Sequence, residues 1–168
     1  IAQRGAQAGQ APAPQNITMD DIALMTYTSG TTGLPKGAML SFGNALFKTT
    51  VTAQSAGIGS DHVALSVAPL YHIAGMLMGV NVPILVGATQ VLLFRVDPVA
   101  VLQAIDRYLV THWYSIAPMN VASMQVQGAE RYDLKGLQRK PVTSFGITFT
   151  EALAQQWQAF TQGPCRSY

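Results

Sequence analysis

Short apolar runs recur along the chain, separated by turns rich in glycine, proline and hydroxyl side chains. Ile22-Ala23-Leu24-Met25-Thr26-Tyr27 predicts a strand, and residues 37–40 a second, shorter one. Asn44 is placed to cap a helix running to about Ser55, with Gly57 and Gly59 ending it. Residues 63–68 predict a strand closed by Pro69, followed by a mostly apolar helix from near Ile73 and a strand over 90–94. The next helix has the clearest signals. Asp97 suits the N-cap and Pro98 the first helical position, and Val101, Leu102, Ile105 and Leu109 recur on one face. Residues 113–117 predict a strand, Pro118 opens a further helix, and 142–146 predict another strand. Thr148 and Glu151 have the spacing of a capping box for a last helix, with Leu153, Trp157 and Phe160 as its apolar face. Residues 165–168 read as the start of a further strand or turn.

Strands alternating with helices predict an α/β fold, a layered, largely parallel sheet flanked by helices. Ligands of such sheets bind beyond the carboxyl ends of the strands. Residues 28–37, 69–75, 145–148 and Tyr168 each come at or just after a predicted strand end. If the sheet is parallel there, they share one edge and line one cleft.

Composition narrows the function classes. The 168 residues are 49% hydrophobic and 11% charged, enough apolar material for a core and unusually few charges for a free-standing protein. That balance predicts a piece of a longer chain, with faces normally covered. Residues 1–19 read as linker or surface coil, because the first sixteen are mostly Ala, Gln, Gly and Pro; the ordered domain is expected over 20–168. The net charge of +2 gives no footprint for nucleic acid, and Arg131, Lys135, Arg139 and Lys140, diluted by Glu130 and Asp133, read as a solvated connecting segment. The lone Cys165 permits no internal disulfide and fits a reducing, cytoplasmic setting. His62, His72 and His112 lack metal-ligand spacing, so no metal site is assigned. Residues 62–94 carry no Asp, Glu, Lys or Arg, yet Pro69, Gly75, Gly79, Pro83 and Gly87 interrupt them, which argues against a transmembrane segment.

The chemistry concentrates in residues 27–38, Y-T-S-G-T-T-G-L-P-K-G-A. Glycines let backbone N–H groups approach an anion, the hydroxyls of Thr28, Ser29, Thr31 and Thr32 add donors, and Lys36 supplies a point charge. Such a loop suits phosphate. It is not a Walker A loop, since Pro35 stands where the second glycine belongs. The run from Thr28 through Gly30, Gly33 and Lys36 to Gly37 instead resembles, residue for residue, the phosphate loop of the adenylate-forming enzymes, the AMP-dependent synthetase and ligase superfamily. A surface loop of Ser, Thr and Gly is the bland alternative.

The resemblance covers about residues 20–168, an internal part of the family's larger N-terminal domain. It implies an acid–thiol ligase that consumes ATP with Mg²⁺, forms an acyl-adenylate from a small-molecule carboxylic acid and passes the acyl group to coenzyme A. Lys36 with Thr28, Ser29, Gly30, Thr31, Thr32 and Gly33 would then hold the ATP phosphates. Residues 69–75, P-L-Y-H-I-A-G, resemble the second family signature, which makes His72 a wall, gate or carboxylate contact of the acyl pocket rather than a general base. Residues 144–148 stand where the family carries a small-residue turn against adenine; Gly146 matches, Phe145 replaces a glycine and Ile147 a small residue. Tyr168 would open the family's Y-G-x-T-E signature, whose Thr and Glu help hold Mg²⁺. The chain is therefore expected to stop before that motif, to miss the remainder of its parent, and to be inactive alone. No acid lies between His62 and Phe94 to bind an ammonium group, which points to a fatty or other non-amino acid; Met76, Leu77, Met78 and Val80 suit either an apolar acyl chain or ordinary core packing. A peptide-synthetase adenylation domain, a non-catalytic nucleotide-binding relative and an unrelated phosphate-binding α/β domain are the alternatives.

Overall fold

The computed structural model describes residues 16–28, 33–138, 140–143 and 146–162. The chain divides into two compact units, Ile1–Leu46 and Phe47–Tyr168.

In the first unit, β1 (Ile22–Tyr27) and β2 (Gly37–Ser41) form a two-stranded antiparallel hairpin, with Leu24 opposite Leu40, Met25 opposite Met39 and Tyr27 opposite Gly37. The N-terminal approach to β1 is a turn in which the Thr18 amide and hydroxyl both donate to Asp21 Oδ2. Those donors, the backbone one foremost, hold the Asp21 carboxyl below its ordinary value. Helix α1 (Phe42–Ala56) follows β2 directly. Its cap is Ser41 rather than Asn44. The Ser41 hydroxyl accepts from the Asn44 amide and the Asn44 side chain accepts from the Ser41 amide, a reciprocal box that starts the helix three residues earlier than the sequence predicts. Gly57, at φ 62°, ends it with amide bonds from Gly57 to Gln54 and from Ile58 to Ala53.

In the second unit, β3 (Val63–Ser66) is the centre of a parallel three-stranded sheet, between β4 (Thr89–Leu92) and β5 (His112–Trp113). After Tyr114 the chain continues as β6 (Ser115–Ile116), which leaves that sheet and pairs in parallel with β7 (Val142–Thr143). The single predicted strand over 113–117 is thus two short ones with different partners. The α/β fold with parallel pairing is as the sequence predicts; the β1–β2 hairpin is its antiparallel exception.

The β3–β4 crossover is continuously helical from Ile73 to Val86: α2 (Ile73–Met76), a π-helical turn (Leu77–Asn81) and α3 (Val82–Val86). Pro83 accounts for the wide turn. It has no N–H to give the carbonyl four residues back, and its ring crowds that carbonyl. The rod lies close against the end of β3. A Cβ on Gly75 would collide with the Pro69 carbonyl oxygen, and one on Gly79 with Ser66 Oγ.

Helix α4 (Pro98–Tyr108) is capped as read, with Asp97 Oδ1 accepting from Val99 and Ala100. Val101, Leu102 and Ile105 are buried, but Leu109 is not on that face. It is the left-handed cap residue, exposed, and Val110 enters the core in its place. Helix α5 (Ala117–Met124) carries Pro118 in its first turn. Helix α6 (Glu151–Thr161) is capped by Thr150, whose hydroxyl accepts from Leu153, and not by Thr148. The core joins α4, α5, α6 and the strands around Trp113 and Trp157, whose rings meet edge to face at 5.8 Å. Lys140 is no part of a solvated segment. It is buried, and its ammonium donates to the Leu137 carbonyl and to Thr161 Oγ1.

Candidate functional site

The predicted phosphate loop joins the end of β1 to the start of β2, next to the Tyr27–Gly37 pair. Its base is fixed by two hydrogen bonds. The Thr28 amide donates to the Lys36 carbonyl at 3.0 Å, and the Lys36 amide donates to Thr28 Oγ1 at 3.2 Å. Thr28 is therefore an acceptor toward the loop's own backbone, and its O–H proton is left to donate to another group. Gly33, Leu34, Pro35 and Lys36 are all exposed. Gly37 sits opposite Tyr27, and a Cβ there would meet the Met25 side chain at 2.6 Å. Ser29, Gly30, Thr31 and Thr32 lie outside the described residues, as do Ser144, Phe145, Cys165 and Tyr168. Because the hairpin is antiparallel, this loop follows no parallel strand of the other unit.

Within the second unit, His72 comes just past the carboxyl end of β3. The segment before it is wound tightly, with the His72 amide donating to the Pro69 carbonyl at 3.0 Å. His72 is the N-cap of the crossover helix, and its Nδ1 accepts from the Ala74 amide at 3.2 Å. Acceptance at Nδ1 puts the ring hydrogen of the neutral imidazole on Nε2, so the exposed side chain is a hydrogen-bond donor at its far nitrogen. That suits contact with a carboxylate and not proton abstraction. The strand order β4-β3-β5 reverses direction at β3, and the crevice beyond β3 and β5 is where open parallel sheets bind ligands.

Gly146 follows the carboxyl end of β7. Its φ of 78° favours glycine, and a Cβ would stand 3.3 Å from Pro118 Cγ, a tight approach that the proline ring would have to ease. Ile147 is exposed. β5 continues into β6 across Tyr114, and β3, β5, β6 and β7 pair in parallel, so His72 and Gly146 both leave carboxyl ends of strands.

For Mg²⁺ the described residues offer no group of three or more His, Cys, Asp or Glu. No helix among them is long and apolar enough to cross a membrane.

The sequence as a whole matches the family model described as AMP-binding enzyme over residues 2–168. The chain belongs to the AMP-binding enzyme family. This AMP-binding chain is 38% identical over 112 residues to a feruloyl-CoA synthase of Amycolatopsis sp, covering 67% of the chain and 23% of that protein. It is 31% identical over 146 residues to the long-chain-fatty-acid–CoA ligase of Bacillus subtilis, covering 85% of the chain and 26% of the ligase. It thus spans about a quarter of the length of these relatives. The o-succinylbenzoate coenzyme A synthetase of Bacillus subtilis, solved in complex with ATP and magnesium ion, superposes with a TM-score of 0.73 at 27% identity, over 89% of the chain and 30% of that structure.

One buried group of this AMP-binding chain carried no sequence motif. Asn120, on α5, is wholly buried. With its carboxamide turned so that each atom meets an opposite partner, it donates to Ser115 Oγ at 2.9 Å and the Ile116 carbonyl at 2.8 Å, and accepts from Trp157 Nε1 at 3.2 Å. The only trace in the sequence is a lone amide in the apolar stretch Ala117-Pro118-Met119-Asn120-Val121-Ala122.

Proposed function

We propose that residues 20–168 are part of the AMP-binding domain of an acid–thiol ligase, with residues 1–19 as linker. The parent enzyme activates a carboxylic acid with ATP and Mg²⁺ and transfers it to coenzyme A. ATP supplies the α-phosphorus that the carboxylate attacks and the pyrophosphate that leaves. The chain's own contribution is positioning and charge. Lys36 and the donating hydroxyl of Thr28, with Ser29, Gly30, Thr31, Thr32 and Gly33, hold the leaving phosphates, whose growing charge is stabilised by fixed donors. His72 presents Nε2–H to the carboxylate side. Gly146, Ile147 and Tyr168 border the adenine.

The acid has an uncharged tail. Residues 62–94 offer no charged side chain to pair with a second carboxylate or an ammonium group. Relatives named for ferulate and for long-chain fatty acids both fit that description, and an aromatic or fatty acid is the proposed substrate class. A reducing, cytoplasmic location belongs to the same reading.

The observation that carries the proposal is the loop of 28–37, closed by Thr28 and Lys36 on one another while the lysine stays exposed. Its test is Lys36→Ala in the parent enzyme, followed by calorimetric titration with MgATP. A charge-assisted hydrogen bond of about 1.5–3 kcal/mol sets the expected loss of affinity at roughly ten- to a hundredfold, with an unchanged circular dichroism spectrum. Unchanged affinity would remove the loop from the phosphate site.

A further inference from the structure

We propose that Asn120 is a positioning residue for the nucleotide side of the site, acting through the Gly146–Ile147 turn; the proposal rests on the reading of that turn given above. Three connections meet at this buried amide. Ser115 and the Ile116 carbonyl belong to β6, which pairs with β7 as Ser115 to Val142 and Ile116 to Thr143. Trp157 belongs to α6, the element into which the turn runs. Asn120 itself lies in the first turns of α5, whose Pro118 stands against Gly146. Asn120 therefore holds the strand beside the turn's entrance, the helix at its exit and the surface beneath its middle.

Every polar atom of the amide has a partner, and all are removed from water. A buried amide held this way admits one arrangement, whereas an apolar residue of the same volume leaves Trp157 Nε1, Ser115 Oγ and the Ile116 carbonyl to seek new partners. Those partners sit on α6, which follows the turn, and on β6, which pairs with the strand that precedes it, so their relaxation moves the turn. Among the described residues, the hydrogen bonds of Asn120 go to Ser115, Ile116 and Trp157 and none to 69–75, so the acyl side is expected to be left alone.

The experiment compares wild-type parent enzyme with Asn120→Leu, and with Ser115→Ala as a milder second variant should the first not fold. Hydrogen–deuterium exchange is read on peptides covering 142–150 and 69–75, and initial rates give KM for ATP and for the acid. The expected result is exchange at least about fivefold faster over 146–150 and unaltered over 69–75, with KM for ATP raised about tenfold and KM for the acid within about twofold. Unaltered exchange over 146–150 in a folded variant would overturn the positioning role, as would equal rises in both KM values or faster exchange with an unchanged KM for ATP. Exchange needs no turnover, so a wild-type enzyme that failed to use ATP would count against the proposed function and not against this inference.

Discussion

Leu109 occupies a conformation that costs a leucine free energy. Its φ of 52° and ψ of 48° lie in the left-handed region, and its side chain is 71% exposed, so it gains little from burial. The position is held by the bonds that finish α4, from Leu109 to the Asp106 carbonyl and from Val110 to that of Ile105, which deliver Val110 into the core. A non-glycine residue in this region costs about 1–2 kcal/mol. Glycine removes that cost but loses about 0.5–1 kcal/mol more on ordering its backbone. Leu109→Gly is therefore expected to stabilise the protein by roughly 0.5–1 kcal/mol, a rise of about 2 °C in thermal midpoint for a domain of this size. Leu109→Ala, which keeps the strain, is the control. A glycine variant no more stable than the alanine one would mean the backbone carries no strain there.

At the scale of elements, the crossover helix α2–α3 depends on absent side chains. Gly75 meets the carbonyl groups of Ala68 and Pro69, which are main chain and cannot swing aside, whereas Gly79 meets the movable hydroxyl of Ser66. Gly75→Ala must push the helix off the end of β3 and carry His72, which caps it, along. The expected loss is about 1–3 kcal/mol, the usual range for overpacking, together with a raised KM for the acid. Gly136→Ala, whose Cβ would find only the Val110 carbonyl at 3.7 Å, should be nearly neutral. Urea denaturation of both compares them directly, and equal stability would refute the close contact. The sequence made the start of α4 legible because Asp97 and Pro98 are unambiguous, but not its end, where Leu109 is the exposed cap and Val110 the core residue. It displaced the caps of α1 and α6 because Ser41 and Asn44, or Thr148 and Thr150, offer equivalent acceptors and only the backbone angles choose between them. Lys140 and Asn120 were illegible for another reason. Their burial depends on Thr161 and Trp157, which lie far along the chain. The loop of 28–37 was legible as a family motif by the order of its residues, but the antiparallel pairing of the strands on either side of it was not.

For the whole molecule, exposed apolar side chains occur in both units: Leu34 and Tyr27 in the first, Phe47, Tyr71, Ile84 and Phe94 in the second. Contiguous exposed apolar surface ordinarily marks a covered interface. Together with a span of about a quarter of its relatives' length, these exposed side chains support the proposal that the 168 residues work as part of a longer enzyme. In the proposed parent enzyme, the Thr and Glu of the Y-G-x-T-E signature that Tyr168 would open are the residues that help hold Mg²⁺. Positioning contributes to catalysis only when the reacting groups are held together, so a phosphate loop and an acyl-side histidine without those partners should hold a nucleotide weakly and turn nothing over. The expected outcome is acyl-adenylate formation and pyrophosphate exchange by the parent enzyme with an aromatic or fatty acid, and neither by the 168-residue chain under the same conditions. Mass spectrometric detection of acyl-adenylate from the isolated chain would show instead that the loop and the edge beyond β3 and β7 hold all the groups the first chemical step requires.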